Sequence, residues 1–279
     1  MRIAVMVHER DRKFTPNYIA SPMIEAWRLK GHDVEIVPGP HTPDSDVLFL
    51  HVDCTVLPWK YRRAVARHPC VINRHVRNIS KSRISSLRVR TRWRDVGPVI
   101  VKTDMNGGGR PEYHKRRRLR RRMEAREQRL GPEYAGLMLR SKYCVFDSNR
   151  LVPSRMFRTR GLIVERFIPE RFDELYGIRC YTFLGDRGDA FLYRSKDPIV
   201  KRREFVDWTP VEVPPELRRM QAELGFDYGK FDYVLHEGVP VLLDVNSTPA
   251  SRYHERERRR QAAFLAPALE PLVERIRQR

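Results

Sequence analysis

The chain has 279 residues, 41% hydrophobic and 10% aromatic, enough for about two domains with a core and too apolar for a disordered tail. Lys+Arg number 55 against 35 Asp+Glu, a net charge of +20 carried mostly by arginine, which points to anionic partners. No apolar run approaches a membrane span and the opening MRIAVMVHERDRK soon turns charged, so a membrane partner and a secretory signal are not expected and a cytoplasmic location is.

Residues 2–7 read as a short apolar strand. Ser21 supplies an N-cap with Pro22 at the first helical position; Met23, Ala26, Trp27 and Lys30 follow at helical spacing, and Gly31 ends the helix. Residues 34–37 and 47–52 are further strands across a Pro/Gly/Asp-rich turn, 60–67 a helix and 70–73 a strand. This alternation implies a parallel sheet with helices on its faces, a small open α/β unit to about residue 75. Cys54, Cys70, Cys144 and Cys180 lack CxxC spacing, so reduced thiols are expected rather than a zinc site or a disulfide framework.

Charge then concentrates. Residues 74–94 hold eight Lys/Arg and no acid, and residues 110–129 hold ten Lys/Arg against three Glu. The second window has the pattern of a helix with only a thin apolar stripe, a solvated helix or a flap. Strand signals return at 142–146, 162–167, 178–184, 190–193, 230–235 and 240–245, with the turn HEGV between the last two. Their spacing predicts an antiparallel, α+β half. Residues 255–279 are helix-like, with Leu265, Leu269, Leu272 and Ile276 at three- and four-residue steps.

Three segments carry candidate chemistry. Asp232 and Asp244 lie one on each strand of the last hairpin, and Asn246 shares a face with Asp244. Acids in an apolar strand are costly unless paired or bound to a cation, and an all-oxygen set suits magnesium that carries substrate phosphates. A hydrogen-bonded turn or salt bridges to arginines would satisfy the same residues. Lys102 ends a β-rich run shortly before Gly107, Gly108 and Gly109, where backbone N–H groups can approach phosphate oxygens; a flexible loop is the plainer alternative. The third, LIVERFIPERFDEL, is an apolar strand stopped by Pro169, as in an inter-domain connector. No Ser/His/Asp or Cys/His set competes: His8, His32, His51, His75 and His254 stand alone.

In this order and spacing the three segments resemble the ATP-grasp superfamily, in particular ribosomal-protein glutamate ligases and D-alanine–D-alanine ligases. The match is most specific over 98–102, 162–168, 178–184 and 231–249. The resemblance implies an α/β N-terminal domain followed by α+β ATP-grasp domains: 1–95 an open α/β domain, 96–168 a central lid subdomain with a basic insertion, and 169–279 the C-terminal subdomain. It implies ATP and one or two Mg2+ ions as cofactors. Lys102, with Lys81 and the loop Gly107, Gly108 and Gly109, would contact nucleotide phosphates. Glu165, Arg166, Phe167 and Ile168 would hold the adenine edge, and Asp173, or Glu170, the ribose. Arg179 and Arg194 would face the γ-phosphate and the reacting acyl phosphate. Asp232, Asp244 and Asn246 would bind magnesium, with Ser247 and Thr248 beside the acceptor. His8, Glu9 and Arg12, at the end of the first strand, are candidates for substrate contacts. The chain departs from the family in having Asp244 where Glu is usual and an arginine-rich run where a compact lid is usual.

The function so implied is that of an ADP-forming ligase that activates a carboxylate as an acyl phosphate and joins it to an amine or related nucleophile. An anionic small-molecule or peptide carboxylate is the expected substrate, an acidic carrier or acceptor protein and a homo-oligomer are compatible, and nucleic acid is disfavoured by the lack of aromatics in 110–129. Two alternatives stay open: an ATP-grasp kinase of a polyphosphorylated substrate, and a catalytically degenerate protein that binds nucleic acid or a partner through its basic face.

Overall fold

The computed structural model describes residues 1–11, 14–201, 205–250 and 255–278. Strands β1 (Arg2–Val7), β2 (Asp33–Pro38), β3 (Val47–Leu50) and β4 (Val71–Ile72) form a parallel sheet in the order β2-β1-β3-β4, crossed by helices α1 (Ala20–Leu29) and α2 (Trp59–Arg67). The parallel sheet matches the expectation. Helix α1 does not start where expected: its N-cap is Ile19, and the Ser21 hydroxyl instead donates to Thr15 O at 2.8 Å. Pro22 is therefore inside the first turn, where its missing N–H is not needed.

A short helix α3 (Lys81–Ile84) precedes a three-stranded antiparallel sheet, β6-β5-β7, made of β5 (Val99–Thr103), β6 (Cys144–Phe146) and β7 (Leu162–Arg166), with helix α6 (Ser154–Arg158) before β7. The basic window is two helices rather than one. Helices α4 (Arg110–Lys115) and α5 (Arg117–Gln128) break at Arg116, whose φ of −138° and ψ of 88° leave the helical region. Met123 alone of the α5 residues is buried, and its arginines are mostly solvated.

The C-terminal part is an antiparallel sheet, β11-β10-β9-β12-β13, with β8 (Glu170–Phe172) added to the start of β9 (Leu175–Leu184). The others are β10 (Arg187–Ser195), β11 (Phe205–Val211), β12 (Tyr228–His236) and β13 (Val239–Asn246), with α7 (Pro215–Glu223) on one face. Strands β8 and β11 were not anticipated: β8 has three residues, and β11 is an edge strand with no buried residue. The last segment is two helices, α8 (Glu255–Leu265) and α9 (Leu269–Arg277), separated by a 3₁₀ turn over Ala266–Ala268 that contains Pro267. Among the described residues no helix is long and apolar enough to cross a membrane, and none of the four cysteines is in a disulfide.

The two ends of the chain share one core. Trp27, Phe49, Tyr228, Leu265, Leu269 and Leu272 belong to one buried cluster, and Trp27 Nε1 donates to Ala266 O at 3.0 Å. Asn73, fully buried with φ of 65°, accepts from the N–H groups of Asp227 and Tyr228 at 2.9 Å each and donates to Tyr228 O. Asn73 thereby fixes the end of β4 to the start of β12, and Ile19 N–H donates to Pro249 O at 3.0 Å in the loop that follows β13.

Candidate active site

Strand alternation puts Ile100 and Lys102 of β5 on one face, and the residue across from Ile100 on β7 is Glu165. Lys102 Nζ lies 2.5 Å from Glu165 Oε2 and donates to Leu243 O at 3.1 Å. Glu165 is 1% exposed, and among the described residues its Oε1 has no hydrogen-bond partner. A buried carboxylate oxygen left unmatched is costly, so it is a place where a ligand donor is due.

On the facing sheet Asp232 of β12 stands across from Asp244 of β13, which puts both carboxylates on the same side. Just beyond them the register shifts, with Tyr233 opposite Leu242, so that Leu243 is the extra residue of a bulge. The bulge turns the Leu243 carbonyl towards Lys102. Lys81, 1% exposed at the start of α3, lies 3.1 Å from Asp244 Oδ1 and donates to Met105 O at 3.0 Å. Burial pulls its pKa down, but Asp244 and its neighbours outweigh burial and raise it overall, so the ammonium stays charged. Asp232 is held by Lys230 at 2.7 Å and accepts from the Cys180 thiol at 2.9 Å.

These groups line a cavity of about 210 Å³ between the two antiparallel sheets. Ile100, Phe167, Ile168, Ile178, Ile199, Val234 and Leu243 give it apolar walls, and Lys81, Lys102, Glu165, Asp232 and Asp244 give it paired charges.

Comparison with solved structures identifies the arrangement. The chain is similar to the RimK-domain ATP-grasp protein of Sphaerobacter thermophilus, at 13% identity over 98% of this chain and 100% of that one, with a TM-score of 0.51. It is equally similar to the ATP-grasp ligase PsnB complexed with a minimal precursor, at 12% identity over 98% of each chain and a TM-score of 0.52. The chain has the ATP-grasp fold. No protein-family model matches the sequence, and no curated protein matches it either.

The donor set suits the groups the fold implies. Among the described residues no three His, Cys, Asp or Glu side chains gather into a metal cage. Two hard carboxylates on one face, without a third, suit magnesium that draws its remaining ligands from phosphate and water. The apolar walls and the unmatched Glu165 Oε1 suit a base with an exocyclic amine.

Several expected residues lie elsewhere in the ATP-grasp frame. Arg179 is opposite Tyr233, and Cys180 is opposite Asp232, so alternation turns Arg179 to the far face of the sheet. There it makes a bidentate pair with Glu170, at 2.7 and 3.0 Å, and Glu170 also accepts from Leu235 N–H. Arg194 is across from Gly177, on that same far face, and is paired with Asp207 at 2.7 Å. Neither arginine faces the cavity, and Glu170 is committed away from it. Asp173 sits exposed, with φ of 50°, in the turn between β8 and β9, outside the lining. The N–H groups of Arg166 and Phe167 are taken by Leu87 O and Pro98 O, both at 2.9 Å.

Gly107, Gly108 and Gly109 all have positive φ, and a Cβ on Gly108 would lie 1.9 Å from Ser141 Oγ. Their turn packs beside Asn246 rather than in the cavity lining: Asn106 Nδ2 is 3.5 Å from Asn246 Oδ1. Asn246 Oδ1 also accepts from Thr248 N–H at 2.8 Å, the hydrogen-bonded turn that its sequence allowed. Ser247 and Thr248 are buried, and Thr248 Oγ1 donates to Asp53 Oδ1 at 3.1 Å. His8 is buried against Tyr61, and Glu9 pairs with Lys60, so neither lines the cavity; Arg12 lies outside the described residues.

Two residues escaped the sequence reading. Lys230 is two residues before Asp232 and therefore on its face, a signal visible in KFDYVL. Asp53 follows β3, where an open α/β sheet presents its ligand crevice, and it joins Tyr18 (3.1 Å) to Thr248. Burial raises its pKa.

Proposed function

We propose that this ATP-grasp chain is an ADP-forming ligase that activates a carboxylate as an acyl phosphate and joins it to an amine or related nucleophile. The observation that carries the reading is the apolar-walled cavity lined by the pairs Lys81–Asp244 and Lys102–Glu165 and by Asp232, which Lys230 holds from the same strand face. The similar ligase PsnB has been solved with a minimal precursor, magnesium and ADP, a ligand set of matching chemistry.

In this reading Glu165 Oε1 accepts from the adenine amine, and Ile100, Ile178, Val234 and Leu243 clasp the ring. Lys81 and Lys102 neutralise phosphate oxygens. Asp232, Asp244 and Asn246 would hold magnesium, which when bound draws charge off the transferred phosphoryl group. Lys230, and not Arg179 or Arg194, is the cation on the reacting face. The acceptor carboxylate needs no general base, because it is already a nucleophile. It would lie by Ser247 and Thr248, with Asp53 behind Thr248.

The test is calorimetric titration with a non-hydrolysable ATP analogue, with and without magnesium, on wild type and Asp244→Ala. Magnesium-dependent binding that is lost in the variant is the expected result, followed by acid-dependent release of ADP and inorganic phosphate in a screen of carboxylates and amines. No binding by folded wild type would remove the reading. ADP release with phosphate kept on a hydroxyl acceptor would replace the ligase by a kinase.

A further inference from the structure

A second surface lies outside the ATP-grasp cavity and independent of the ligase reading. Between α3 and β5 the chain makes a strap, anchored to β7 at one end, where Arg166 N–H donates to Leu87 O and Val89 N–H donates to Val164 O, at 2.9 and 2.8 Å. At the other end the fully buried Asn149 pins it three times. Its amide donates to Thr91 O and Arg94 O at 2.9 Å, and its Oδ1 accepts from Val96 N–H at 3.1 Å. The bend so fixed projects Trp93, which is 89% exposed. A large ring held in water on an ordered strap has no role in the core.

Trp93 stands in a groove with Phe157, Arg90, Arg92, Arg150 and Arg158, in which Arg92 also donates to Arg150 O, and among the described residues no carboxylate lines it. Asp95, the acid on the strap itself, is committed to Gly97 N–H and to the Ser148 hydroxyl, at 3.0 and 2.9 Å. Arg88, Arg90, Arg92 and Arg94 are all exposed. The arginine-rich α5 lacks any such aromatic, so it is the strap, and not the more basic helix, that combines charge with a stacking face.

We infer that this groove binds single-stranded nucleic acid, with an unstacked base on Trp93 and the flanking arginines on phosphates. A polymer that alternates flat rings with anions matches an exposed ring set among cations. An acidic peptide would match the arginines but would leave the ring without a planar partner. The chain's net charge of +20 supplies the general attraction.

The test is fluorescence anisotropy with labelled 12-nucleotide oligo-U and oligo-dT on wild type, Trp93→Ala and Arg90→Glu/Arg158→Glu. ATP-analogue binding and thermal unfolding check that the variants stay folded, which substitutions at exposed positions should allow. Trp93→Ala is expected to weaken both strands about tenfold, and the double variant to flatten log Kd against log salt by roughly 0.7 for each phosphate that the arginines cease to neutralise. Preference between the two strands distinguishes RNA from DNA. Unchanged affinity in Trp93→Ala would overturn the inference. Tighter, Trp93-dependent binding of poly-glutamate would also overturn it and assign the groove to an acidic protein.

Discussion

Asp244 stands across from Asp232 in the β12–β13 pair, yet the two carboxylates are held by different lysines: Lys81 of α3 at 3.1 Å and Lys230 of Asp232's own strand at 2.7 Å. Like charges directly opposite in an antiparallel pair repel, and each lysine offsets one of them. The arrangement puts two half-buried acids side by side on one face, with two cations beside them.

Removing Asp244 strands Lys81, whose side chain is 2% exposed against 27% for the acid. Breaking such a pair from one side costs about 3 kcal/mol. Asp244→Ala is expected to lose that much in urea unfolding as well as its magnesium-dependent nucleotide binding. The double variant Asp244→Ala/Lys81→Met should recover most of the stability and none of the binding. Full binding by the double variant would contradict the assigned site.

Arg179 and Lys230 separate the two faces of one sheet. Arg179→Ala leaves Glu170 without its bidentate partner on the far face, so a stability loss of about 2–4 kcal/mol is expected with turnover within about threefold of wild type. Lys230→Ala is expected to lower the rate by about two orders of magnitude, with a stability loss similar to that of Arg179→Ala because its pair with Asp232 is comparably buried. ADP release measured on both variants would show the assignment to be wrong if Arg179→Ala lost the rate and Lys230→Ala kept it.

Among the described residues Glu165 Oε1 is a buried acceptor without a donor, so the base that enters should supply an amine where adenine has one. Wild type is expected to prefer ATP analogues over GTP analogues by tenfold or more, because a carbonyl there would meet a carboxylate. Glu165→Gln should narrow the preference. It should also weaken both nucleotides, since Lys102 loses its partner at 2.5 Å.

Among the described residues neither ring nitrogen of His51 has a partner inside its cage of Phe14, Tyr18, Phe49 and Tyr228, and burial pushes its pKa down from 6.5 to about 3. Between those values the unfolded chain binds a proton that the folded one refuses. Its contribution is therefore complete above about pH 6.5 and is lost as pH falls towards 3, at up to ~1.4 kcal/mol per pH unit. His8 acts in the same direction, its pKa lowered to about 4 by burial and by Lys115. Urea unfolding at pH 7, 6 and 5 should give a shallower pH slope for His51→Phe than for wild type; equal slopes would refute the assignment.

Much of the ATP-grasp fold was legible in the chain. Apolar runs of four to six residues between Pro/Gly turns mark strands wherever the core is local, and β1, β3, β5, β12 and β13 follow them. Helix boundaries were less legible: α1 starts at Ala20 because the approach of Thr15 took the Ser21 hydroxyl away from capping. Strand β11 could not be read from its pattern, since an edge strand is defined by its neighbour β10 rather than by burial of its own side chains.

Which residue types meet follows from the linear order of the chain. Lys81, Lys102, Glu165, Asp232 and Asp244 are written along it in turn, and their spacing on short strands restricts what they can do. Which way each side chain turns is settled by long-range packing alone. In a strand one step of register moves a side chain to the opposite face, so Arg179 and Cys180 exchange the cavity face for the far face on a choice that nothing local dictates. That choice is made by pairing β9 with β12 across some fifty residues, and by the β13 bulge that keeps Asp232 and Asp244 on one side. The same packing decides that Trp93, one tryptophan among four in the sequence, is held in water by a buried asparagine more than fifty residues away.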